Sequence, residues 1–82
     1  ASDLEEVQNV VDVSFGSMAD EVEAFANTAV RSYGMSALTA KRMASTFMAM
    51  SNGMDIAQEA GKNMSLQLTA LAGDMASFYN VG

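Results

Sequence analysis

"KRMASTFMAMSNGM", residues 41–54, carries four of the chain's eight methionines around one phenylalanine and several small residues. The same letters suit either the inner face of a helix or a soft apolar surface that grips a partner, so their reading decides the fold. At about 100° per residue, Met43, Phe47, Met50 and Met54 fall in one narrow sector, with Lys41, Arg42, Ser45 and Asn52 opposite. The spacing therefore assigns Met43, Met50 and Met54 to a core, where methionine fills irregular gaps well. Met48 projects about 140° from Met43, toward the polar side, and is expected at the surface.

Working outward, this helix begins near Ser36 or Thr39 and runs to Asn52, with Gly53 as its stop. The next helix starts around Asp55 and reaches about Tyr79. Its apolar stripe is Ala57, Ala60, Met64, Leu68, Leu71, Met75 and Phe78, in steps of three and four that approach a heptad seam. Leu66 is the outlier there, about 200° from Met64 and flanked by Lys62, Asn63 and Thr69. Met48 and Leu66, with the greasy Phe78-Tyr79 end, are the candidate surface for a neighbouring subunit or a further stretch of chain.

Upstream, a helix starts behind Ser17 with Asp20 and Glu21 in its first turn, Arg31 in its last turn and Gly34 as its stop. Met18, Val22, Phe25, Ala26, Ala29 and Tyr33 form its inward stripe. The first helix opens on a capping box, Ser2 with Glu5, turns Leu4, Val7, Val10 and Val11 inward, and ends near residues 14–17. The fold expected is all-α: one domain over residues 1–82, a small bundle of about four helices that can swap or oligomerise. The absence of proline agrees with helix throughout.

Composition narrows function. The net charge is −6, and residues 1–30 contain seven acids and no Lys or Arg. A nucleic-acid backbone or an anionic membrane surface would repel such a chain. No stretch approaches the roughly 20 apolar residues of a crossing helix, and the acids among the first seven residues do not fit a signal peptide. There is no cysteine, hence no disulfide and no thiolate site, and no histidine to serve as metal ligand or general base. Lys41 and Lys62 project to polar faces, and Glu5-Glu6 and Glu21-Glu23 read as solvated helix surface. "SNGMDIAQE" (51–59) lacks the alternating oxygen ligands of an EF-hand. No catalytic residue, metal site or cofactor is assigned, and the chain reads as a non-enzyme.

Three stretches, "SDLEEVQNVVDVSFG" (2–16), "SALTAKRMASTFMAMSNGM" (36–54) and "NMSLQLTALAGDMASFYNV" (63–81), resemble in this order the tail tape measure proteins of long-tailed bacteriophages and prophages. The likeness is to the region ahead of the long ruler part, often labelled phage minor tail protein. Its most telling pieces are Gln8-Asn9-Val10-Val11-Asp12-Val13, Met64-Ser65-Leu66 and Asp74-Met75-Ala76-Ser77-Phe78-Tyr79-Asn80.

The resemblance implies a segment of a much longer, largely helical chain that lies inside the tail tube and sets its length. It implies as partners other copies of itself, the tail tube protein, tail assembly chaperones and tail tip or baseplate proteins. The implied location is the virion tail, and the host bacterial cytoplasm during assembly. The residues themselves keep another class open, a freestanding methionine-rich helical module that binds a protein or peptide, which needs Met43, Met50 and Met54 exposed.

Overall fold

The computed structural model describes residues 3–79, with side chains for 4–76. α1 spans Asp3–Phe15, a single 3-10 turn spans Gly16–Met18, α2 spans Ala19–Tyr33, α3 spans Ala37–Gly53 and α4 spans Gln58–Tyr79. No strand occurs among the described residues, so the expectation of a small all-α bundle holds. The described residues form three uninterrupted helical runs, 3–33, 37–53 and 58–79, and the first of these is bent into α1 and α2. The expected Ser2 cap lies outside the described residues.

The bend falls at Gly16, whose φ of 54° is left-handed, a region that costs a residue with a side chain about 1–2 kcal/mol. The second helix was expected to start behind Ser17; it starts at Ala19, and the residue before it, Met18, makes no side-chain cap. Its acids Asp20 and Glu21, its Arg31 and its left-handed terminator Gly34 stand where the sequence placed them. α3 is capped by Ser36, whose Oγ accepts the Thr39 N–H at 3.1 Å.

The far end of α3 departs from expectation. Gly53 is still helical, and Asp55 takes the left-handed position, with φ 59°. Asp55 N–H donates to the Asn52 carbonyl and Ile56 N–H to the Ser51 carbonyl, both at 3.2 Å. That pair of bonds is a Schellman termination with aspartate in the seat glycine usually takes. The fourth helix accordingly begins at Gln58, not at Asp55.

α3 is the central element and packs against α1, α2 and α4. Val7, Val11, Phe15, Val22, Ala44 and Met48 form one core cluster, with Leu38 and Leu66 packed against it. Ala26, Ala29 and Ala40 form a second, flanked by Phe25, Tyr33 and Met35. The α2 stripe is therefore buried as read. In α1, Val7 and Val11 turn inward, but Leu4 and Val10 are exposed, and Phe15, at the bend, takes the inward place.

α4 reverses its expected orientation. Its buried residues are Gly61, Lys62, Ser65, Thr69 and Gly73, while Ala57, Ala60, Leu68, Leu71 and Met75 are exposed and Met64 is half-buried. A Cβ on Gly61 would stand 2.3 Å from Ser51 Oγ, and one on Gly73 would stand 2.9 Å from Met35 Cε and 3.0 Å from Tyr33 Cγ. The helix thus approaches α3 and the end of α2 along a file of small residues spaced by four. The two hydroxyls in that file need no outside partner. Ser65 Oγ donates to the Gly61 carbonyl at 2.6 Å and Thr69 Oγ1 to the Ser65 carbonyl at 2.8 Å, so their burial costs little.

Candidate interaction surface

The methionine stretch divides differently from its expected pattern. Met48, expected at the surface, has no accessible area at all and sits in the centre of the core. Met50 and Met54, expected inside, are 59% and 69% exposed, and Met43 is half-buried. Ser45, placed on the polar side, is buried, and its Oγ has no hydrogen-bond partner. The physical reason is where the neighbours stand. The two core clusters place α1, α2 and α4 around the sector of Ala40, Ala44 and Met48, so the more apolar sector of α3 is only partly covered, with Met43 and Phe47 half-buried and Met50 exposed.

Leu66, the other expected surface residue, is half-buried against the same core as Met48. These two candidates share one cluster, but it is an internal one. The side chains of Phe78 and Tyr79 lie outside the described residues. The exposed apolar residues are others: Met50 on α3 and Met54 just past its end, Leu68, Leu71 and Met75 on α4, Leu4, Val10 and Val13 on α1, and Val30 on α2.

Between α1 and α3 runs an open groove of about 500 Å³. Val7, Val10, Ala49 and Met50 make it apolar, and Glu6 and Arg42 stand along it. The unpartnered Ser45 hydroxyl also lines it. Arg42 makes no ion pair among the described residues.

The two lysines read as lying on polar faces serve packing instead. Lys62 is buried and binds Glu21 of α2 and Glu59 of its own helix. The bond to Glu21, opposed by desolvation and helped by Glu59, holds the Lys62 ammonium above its ordinary pKa. A lysine that acts as a base or nucleophile needs the opposite shift. Lys41 is half-buried, pairs with Glu23 at 2.7 Å and donates to Gln8 Oε1 at 3.1 Å, tying α3 to both α2 and α1. Glu21 and Glu23 are thus structural partners, not idle surface.

Among the described residues, no three His, Cys, Asp or Glu side chains gather as a metal site would require, and no helix is long and apolar enough to cross a membrane. No family model, no curated protein and no solved structure matches this chain.

Proposed function

We propose that this chain is a structural segment of a bacteriophage or prophage tail tape measure protein that contributes to tail assembly and tail-length determination by helix packing. The observation that carries the proposal is the ordered resemblance of residues 2–16, 36–54 and 63–81. The bundle adds support, because it leaves apolar helix faces open for assembly. In this reading the segment has no enzymatic role and binds no nucleic acid directly. It works as about four packing helices that associate, or exchange helices, with other copies of the chain. Tail tube protein, assembly chaperones and tip or baseplate proteins are its further partners, and the virion tail, reached through the host cytoplasm, is its location.

The test is to delete these codons in frame from the parent gene and to image the particles by electron microscopy. Loss of tails is the expected result and marks an assembly or docking segment. Tails shorter by up to about 120 Å would mark an extended ruler, since 82 residues rise that far as a single helix. Normal tails of normal length would overturn the reading.

A specific observation favours a second class. Exposure of Met50 and Met54 meets part of the requirement for a freestanding methionine-rich module that binds an amphipathic helix. Mild oxidation that blocks capture of such a peptide, while tails assemble without the segment, would select it.

A further inference from the structure

We propose that the face built by α3 and α4, where Met50, Leu68, Leu71 and Met75 stand exposed, docks a second copy of this chain, the α4 ridge of each copy filling the α1–α3 groove of the other.

The first step is to locate the ridge. On α4, Gly61 faces α3, because its Cβ would strike Ser51 and Met48. Gly73 and Lys62 face α2, through Tyr33 and Glu21. At about 100° per residue these two directions are roughly 100–120° apart. Met64, Leu68, Leu71 and Met75 lie roughly 20–80° to the other side of Gly61. The ridge therefore stands beside α3 on the side turned away from α2. On α3, Met50 points to that same side and also lines the α1–α3 groove. Ridge and groove are thus two parts of one face, joined at Met50, and α2 covers the opposite one.

The occupant follows from spacing, charge and area. Residues 64, 68, 71 and 75 step by four, three and four, the period at which one helix seam packs into another of the same kind. Seven of the ten acids lie in residues 1–30, which make α1 and α2, and only Asp55, Glu59 and Asp74 follow. Two copies of a chain with net charge −6 repel wherever α1 and α2 would meet their like, and least along α3 and α4. The ridge also offers no charge by which a strongly basic or acidic partner could be chosen. The exposed ridge and its methionines amount to on the order of 500 Å² of side-chain surface, the size of the largest apolar patch on a typical monomer, which is often a functional one. A stable pair needs roughly 800 Å² from each partner, more than the ridge alone, so the walls of the groove have to be part of the contact. A convex ridge and a concave groove on one face can satisfy each other across a two-fold axis, with no open end left to grow.

The proposal shares with the tail reading only the idea that copies of the chain meet, and its test uses the 82-residue chain alone. Sedimentation equilibrium from about 10 µM to 1 mM should show monomer and dimer in exchange. Leu71→Glu should remove the dimer across that range while the helical circular dichroism and thermal transition persist, since Leu71 is 54% exposed and supports no core. Met50→Glu should do the same, and Asn27→Glu, on the α2 surface, should change nothing. The chain has no cysteine, so Val10→Cys and Leu71→Cys can be oxidised cleanly. The two variants should crosslink when mixed and not when either is alone. A chain that stays monomeric at 1 mM, or a Leu71→Glu dimer as tight as the original, overturns the proposal. Efficient crosslinking of Leu71→Cys with itself overturns the ridge-in-groove arrangement. Normal tails after the in-frame deletion would sink the tail reading and leave this one standing.

Discussion

α2 and α4 each carry an apolar stripe at helical spacing, and only α2 buries it. Val22, Ala26 and Ala29 of α2 have no accessible area, whereas Leu68, Leu71 and Met75 of α4 stand in the open. On α2 the apolar residues at the contact are themselves small, so apolarity and close approach favour the same face. On α4 they favour different faces. The large residues fall on one side, and the small ones, Gly61, Ser65, Thr69 and Gly73, fall on another at a spacing of four. The helix packs by the side that lets backbones draw near. Every atom pair at contact distance contributes dispersion there, and the hydroxyls in the file bond to their own helix. The lesson is that hydropathy finds the stripes, while side-chain size decides which of them a neighbouring helix meets.

The sharpest way to break this comparison lies within one stretch of sequence. Met48→Ala should cost about 3 kcal/mol in urea unfolding, since it empties the middle of the core, whereas Met50→Ala at dilute concentration should stay within about 0.5 kcal/mol of the original chain. Equal losses at both positions would mean that the faces of α3 are assigned wrongly.

Glycines sharpen it next. Gly61→Ala should lose about 1–2 kcal/mol, because its new methyl meets the buried Ser51 hydroxyl and overpacking outweighs the better helix propensity. Gly53→Ala, where a Cβ meets nothing within 4 Å, should gain about 0.5 kcal/mol by the same urea assay. A gain at both sites would dissolve the small-residue contact as the reason for the orientation of α4. The smallest expected effect is at the α3 terminus. Asp55→Gly should raise stability by about 0.5 kcal/mol by relieving a left-handed aspartate, read as a small rise in melting temperature.

These contrasts mark how far the sequence could be read. The helix class, the α2 face and the Gly34 stop were legible because each depends on a local rule, period or left-handed glycine, whereas the start of α3 was placed only near Ser36 or Thr39 and the Ser36 cap came from the structure. The end of α1 near residues 14–17 was legible from the glycine there, but not that the chain continues through a 3-10 turn into α2. Met48 and Leu66 were misplaced because a helical wheel ranks sectors by apolarity and knows nothing of where three neighbours stand. Lys62 was misplaced for another reason: its principal partner, Glu21, is 41 residues away, and no local pattern announces a cation drawn inward by a distant acid. The signal that would have corrected α4 was present in the file Gly61, Ser65, Thr69, Gly73. Read as room for a backbone and not as polar surface, it points inward.

The glycine elbow between α1 and α2 has a mechanical meaning. Straightened, residues 3–33 would form a rod of about 46 Å at the usual helical rise, longer than the 39 Å that the whole molecule spans in its longest direction. The left-handed turn at Gly16 converts reach into thickness, and the exchange is secured by Val11 and Phe15 on one arm and Val22 on the other, all in one cluster. Tension applied along the chain would work against that cluster through the lever arm of α1, and against the Ala19 N–H bond to the Gly16 carbonyl that closes the turn. The angle of the joint, and with it the thickness of the bundle, is therefore a property of those hydrophobic contacts as much as of the glycine.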